Sequence, residues 1–140
     1  MDKQNIFNGI IAGTGTIFTY IFGAWDTALI ILIAFMGIDY LTGVIAGAIN
    51  GQLNSNKGFN GLLRKLTIIL VLITGVLLDR LLNDGTWVFR TLIAYFYIAN
   101  EGLSILENIG KCGVDYPPLM ASTLEQLKKG NKKELKEQDK

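Results

Sequence analysis

The residues of this 140-residue chain equipped for chemistry are a carboxylate at Asp39 and a polar series on Arg90, Tyr97, Glu101, Ser104 and Asn108. All of them sit within apolar stretches. At about 100° per residue, Arg90, Ala94, Tyr97, Glu101, Ser104 and Asn108 fall on one helix face. Leu92, Ile93, Phe96, Leu103 and Leu106 occupy much of the remainder, and Glu107 lies off the stripe. Such a stripe lines water, pairs with polar groups on a neighbour, or marks a helix lying flat at an interface. Asp39 poses the same question more sharply. A carboxylate near the centre of a membrane helix costs about 2.5–3.5 kcal/mol on insertion scales, so it must face a partner, water or the bundle interior, or hold a proton. Nearer the cytoplasmic interface it would simply be hydrated.

These groups do not assemble into an enzyme. The chain has no histidine and a single cysteine, Cys112, which excludes histidine general bases, histidine metal sites and an intramolecular disulfide. No nucleophile–base–orienter set, phosphate loop or metal cluster is present, so neither cofactor nor metal is expected, and no nucleic-acid partner either. Ion pairing within the chain also looks unpromising. Asp39 and Arg90 fall toward opposite membrane faces if both helices span, and no basic residue stands at the depth of Glu101. The inner half of the membrane domain is thus expected to be rich in acid, with neutral polar groups, water or protons as partners.

The elements that position these residues follow from hydropathy. Half the residues are hydrophobic, 18% are charged and mean hydropathy is +0.37, whereas a soluble domain carries about 25% charged residues. Net charge is only +1, but the charges gather in the last thirty residues and one short loop. Four apolar stretches result, at residues 6–24, 27–48, 66–82 and 87–109. A bilayer core of about 30 Å needs about 20 helical residues, and runs this continuous lack the alternation of barrel strands. The fold class is therefore an all-α integral membrane protein with three or four transmembrane helices in short-loop hairpins. Residues 1–110 form the membrane domain and 111–140 a basic cytoplasmic tail. Lys57, Arg64 and Lys65 in the 51–65 loop, with Lys128, Lys129, Lys132 and Lys133 in the tail, are the topogenic charges. By the positive-inside rule both regions are cytoplasmic, with two crossings between them. The connection at Asn83-Asp84-Gly85 is then an external tight turn, and Trp25 and Trp87 fall at interfacial depth. The first stretch, diluted by Gly and Thr, reads as a fourth span or as an interfacial helix. The short turn at Trp25-Asp26 favours the span. Beyond Pro117-Pro118, residues 119–127 suit a short amphipathic helix, followed by a solvated lysine-rich end.

Gly43, Ala46, Gly47 and Gly51 supply a small-residue face on the second stretch, of the kind that lets helix backbones approach closely in lipid. That face serves packing within the chain or contact between copies.

The order of these blocks resembles the phage holin family, which includes phage-lysis holins of Gram-positive hosts and clostridial toxin-secretion holins. The resemblance rests on Asp39-Tyr-Leu-Thr-Gly-Val-Ile-Ala46, on Leu53-Asn-Ser-Asn-Lys-Gly-Phe-Asn-Gly-Leu-Leu-Arg-Lys65, and on Asp79. It continues with Phe96-Tyr-Ile-Ala-Asn-Glu-Gly-Leu-Ser-Ile-Leu-Glu-Asn108 and Gly113-Val-Asp-Tyr-Pro117. Asp115-Tyr116 departs from the apolar residues usual before that proline. The resemblance implies a protein without catalysis that oligomerises with copies of itself in the lipid bilayer of the bacterial cytoplasmic membrane. Its lesions let an endolysin or toxin cross, a functional rather than direct partnership. Two other readings compete: a small ion-coupled transporter or channel using Glu101 or Asp39, and a membrane anchor recruiting a partner through the lysine tail.

Overall fold

Long apolar runs broken by Gly, Asn and Pro can satisfy their own backbone within a membrane only as helices. The computed structural model of the chain describes residues 2–82, 84 and 86–138, with helical side chains described through residue 130. Five helices run in order among these residues: α1 (Lys3–Phe22), α2 (Thr27–Ile49), α3 (Ser55–Leu82), α4 (Val88–Lys111) and α5 (Pro118–Gln138). Of these, α2 and α3 are long and apolar enough to cross a membrane. Helices α1 and α4, of 20 and 24 residues, have the length, but Gly and Thr in α1 and the polar stripe in α4 dilute their apolar character.

Local chemistry sets the helix starts. The Asp26 carboxylate accepts from the Leu29 amide at 3.0 Å and caps α2. Asn54 Oδ1 accepts from the Asn56 amide at 2.9 Å, at the head of α3. Helix α3 therefore begins at Ser55, eleven residues before the expected 66, and most of the loop expected over 51–65 is helical. The glycines that suggested a loop have a packing role. Gly58 and Gly61 lie against Tyr40 of α2, where a Cβ would stand 3.5 Å from the phenol oxygen and 4.0 Å from the ring. Contact with the tyrosine overrides the weak helix propensity of glycine.

The core forms between α2, α3 and α4. Leu29, Leu32 and Met36 meet Leu72, Ala94 and Ile98, and Phe22 closes one end. At Gly75, α3 crosses α4 so closely that a Cβ would run into Ile93 Cδ1 and stand 3.4 Å from the Phe89 and Arg90 backbone. Outward, α2 and α3 present Ile30, Ile33, Leu41, Leu70 and Leu77, and α1 is exposed from Lys3 to Tyr20. Such a surface suits lipid.

The tail departs from expectation. The helix after Pro117 runs through Gln138 instead of stopping near 127, and it is docked. Leu124 fills a notch at Gly102, Leu127 packs on the core cluster, and Lys128 Nζ lies 5.9 Å from the Phe96 ring centroid, so α5 runs back along α4. The side chains of Lys132 and Lys133 lie outside the described residues. Of the turn at residues 83–85, only Asp84 is described, with φ 46°. At the opposite end of the bundle, Asn50 Nδ2 donates to the Lys111 carbonyl at 3.1 Å, tying the α2–α3 link to the end of α4.

Candidate functional site

The polar stripe of α4 faces inward and divides into two clusters, one near each end of the bundle. At the N-terminus of α4 the key geometry begins in α3. The close crossing at Gly75 places Asp79, one turn further on, directly over the first turn of α4. Its carboxylate, 0% exposed, accepts from the amides of Val88 (3.1 Å), Phe89 (2.9 Å) and Arg90 (2.8 Å). Trp87, the residue preceding α4, offers no side-chain cap. Asp79 thus satisfies the open N–H groups of a neighbouring helix and places negative charge at the positive end of its dipole.

Arg90 extends this cluster to the α1–α2 turn. The side chain is 1% exposed. Nη1 donates to Asp26 Oδ2 at 2.7 Å, Nη2 to the Ala24 carbonyl at 2.5 Å, and Nε to the Phe22 carbonyl at 2.5 Å. The hydrogen bond from Arg90 holds the Asp26 carboxyl below its ordinary value of 3.8; the Leu29 amide adds to this and burial opposes it. Gly23, at φ +86°, allows the turn and leaves space for the Trp87 ring, whose atoms would stand 3.0–3.2 Å from a Cβ there. Arg80 stacks on Tyr20, 4.1 Å from its ring centroid, and donates to the Tyr20 carbonyl. Trp25 and Trp87 therefore lie at one end of the bundle.

Toward the other end, Lys65 lies between two acids. Its Nζ is 2.7 Å from Asp39 Oδ2 and pairs also with Glu101 Oε2. The three side chains are 15%, 16% and 10% exposed. Asn108 Nδ2 donates to Asp39 Oδ1 at 3.1 Å and to Thr42 Oγ1 at 3.2 Å. This corrects the expectation that no base stands at the depth of Glu101. The sequence places Lys65 in a cytoplasmic loop, but with α3 starting at Ser55 it lies ten residues, about 15 Å, inside the helix. A signal was available in the Asn54-Ser55 start, which is a capping pattern. Ion pairing then stabilises the two acids, although it recovers their desolvation only in part.

Tyr97 packs on the core cluster and meets Phe96 edge-on at 5.2 Å. Ser104 lines a cleft of about 520 Å³ that opens beside Lys65, as do Lys57 and Arg64. Gly43 faces Asn108 within the chain, where a Cβ would stand 3.5 Å from Nδ2, and Ala46 is buried. Gly47 abuts the Gln52 backbone, and Gly51 turns the chain at φ +63° with open space beside it. Lys129 is exposed and Lys128 partly covered. Asp26 and Asp79 are the two members of these clusters to which residue spacing gives no partner. A carboxylate before an apolar run marks the Asp26 cap, but nothing local marks a cap supplied across a turn.

Comparison with known proteins points to one family. The profile of the bacteriophage holin family matches residues 16–129. A Clostridium perfringens protein described as an uncharacterized 14.9 kDa protein in the nagH 3′ region is 54% identical over 133 residues, 93% of this chain and 99% of its own length. A "probable holin" of Bacillus phage phi105 is 35% identical over 103 residues, 73% of this chain and 75% of its own. No solved structure matches.

Proposed function

Because this chain belongs to the bacteriophage holin family, we propose that it oligomerises in the bacterial cytoplasmic membrane and opens lesions through which an endolysin or toxin reaches the far side. The observation that carries the reading is the Asp39–Lys65–Glu101 cluster. It joins α2, α3 and α4 inside a bundle whose outward faces are apolar. In a single chain these polar groups satisfy one another. In an assembly the same groups, with Tyr97, Ser104 and Asn108, would turn to a shared water-filled centre, where water would replace the ion pairs.

Two acids and one base leave the cluster with net negative charge, so it responds to the transmembrane field. A charge crossing the full field gains or loses about 2.3 kcal/mol per 100 mV, comparable to an ion pair of this burial. Loss of potential therefore favours release of α4. The shared end of the α2–α3 link and the α4–α5 link supports a cytoplasmic placement for both, in keeping with Lys57, Arg64 and Lys111 there. As the least apolar helix, α5 would carry Glu125, Lys128 and Lys129 to bilayer depth if it stayed on an inserted α4. Insertion would favour its release to the membrane surface.

Inducible expression in a bacterium, followed with a potential-sensitive dye and by culture density, tests the proposal. The parent chain should give an abrupt, timed loss of potential, and Glu101→Gln and Asp39→Asn should shift its time. If both variants leave timing and lesion formation unchanged, the cluster is not the lever. Flux that depends on a ligand and spares the cell would instead indicate a transporter.

A further inference from the structure

The cleft beside Lys65 has a charge pattern that lesion formation does not require. Its floor carries Asp39 and Glu101, both engaged by Lys65. Lys111, at the edge, pairs with Glu107 at 2.7 Å. Lys57 and Arg64 line the same cleft two helical turns apart on α3, and neither has a carboxylate within ion-pair distance among the described residues. Tyr40 adds a phenol oxygen beside the bare Gly58 backbone. The cleft therefore holds two uncommitted cations and a neutral donor, above a floor whose negative charge keeps an anion near the mouth.

We infer that this cleft binds the phosphodiester headgroup of an anionic phospholipid, with Arg64 and Lys57 as its cationic contacts. Two features select a lipid over a soluble anion. The mouth lies where α2 passes into α3, the joint between the two helices long and apolar enough to span, and hence at headgroup level. The rim also includes Val44 and Leu53, 40% and 66% exposed. A soluble phosphate gains nothing from that rim, whereas acyl chains leaving the headgroup continue along it onto the exposed Ile45 and Ile49 of α2. Basic pockets between membrane helices bind anionic headgroups by this chemistry. The inference requires membrane residence and is independent of lesion formation, because its test reads binding.

The test uses the full chain in a neutral detergent, titrated with dioleoylphosphatidylglycerol or dioleoylphosphatidylcholine and read by native mass spectrometry. Phosphatidylglycerol should be retained in preference. Arg64→Gln should weaken retention about fivefold, and Lys57→Gln with Arg64→Gln about 25-fold, at about 1 kcal/mol per cation. Arg64→Lys should retain binding, and so should Lys128→Gln with Lys129→Gln, which removes cations outside the cleft. Unchanged helicity by circular dichroism verifies that each variant is folded. Equal retention of the two lipids overturns the inference, as does an equal loss on removing the α5 lysines. If inorganic phosphate, without lipid, binds with the same dependence on Arg64 and the affinity of phosphatidylglycerol, the ligand is a soluble anion and the lipid assignment fails.

Discussion

Replacing Lys65 with methionine removes the base while leaving much of its aliphatic length. Asp39 and Glu101 then face each other without a counter-ion, in a setting that covers most of both side chains. Exposed ion pairs contribute about 0–1 kcal/mol, and removing one partner of a fully buried pair costs about 3–5 kcal/mol. With side-chain exposures of 15%, 16% and 10%, the cluster lies closer to the buried limit. The expected loss is about 3 kcal/mol, or roughly 10²-fold in the folded-to-unfolded ratio. The companion variant is the triple substitution Asp39→Asn, Lys65→Met, Glu101→Gln. It removes the unpaired charges, and the side-chain amide oxygen it introduces in place of the Asp39 carboxylate can still accept from Asn108. Stability should therefore return to within about 1 kcal/mol of the parent. The assay is titration of the detergent-solubilised chain with sodium dodecyl sulfate, followed by far-ultraviolet circular dichroism and Trp fluorescence. The reasoning is refuted if Lys65→Met unfolds at the parent's dodecyl sulfate fraction, or if the triple variant is no more stable than Lys65→Met.

Other outcomes follow from the same geometry. Asp79→Ala leaves three amides of α4 without their acceptor and should cost about 2–4 kcal/mol. In the same titration, Glu107→Ala, which breaks only an exposed pair, should shift stability by less than about 0.5 kcal/mol. Arg90 lowers the folded-state pKa of Asp26 below 3.8, so the stability it contributes is complete above 3.8 and lost as pH falls through the lower folded value. Unfolding measured from neutral to strongly acidic pH should show that loss in the parent and a smaller one in Asp26→Asn. Gly102→Val puts a branched side chain where a Cβ alone would stand 2.8 Å from Leu124. It should release α5 and speed tryptic cleavage after Lys128 and Lys129, with α2–α4 helicity retained.

The polar stripe is legible in the sequence because helix periodicity is local: Arg90, Tyr97, Glu101, Ser104 and Asn108 share a face whatever packs against it. Its partners were not. Lys65 reads as a loop residue because Gly58, Asn60 and Gly61 carry the composition of a loop, whereas Tyr40, 18 residues upstream of Gly58, gives those glycines a helical packing role. Spacing gives Arg90 no partner, and the one it finds, Asp26, is 64 residues away. The Gly43–Gly51 run was readable as a packing face, with its neighbour undetermined between another helix and another copy. Gly43 meets Asn108 of the same chain.

Residue order alone specifies helical, membrane-suited material: four apolar stretches, the sparse placement of charge and the polar face of α4. These properties depend on residue spacing and on the match between helix length and bilayer thickness, both of which are local. How those polar groups are satisfied depends on the packed fold. An ion pair, a cap supplied across a turn and a notch for Leu124 each depend on where two distant backbones cross. At Gly75 and Gly102 that crossing is possible because a side chain is missing. The Asp39, Arg90 and Glu101 charges that stood as isolated costs in one dimension are members of two clusters in three.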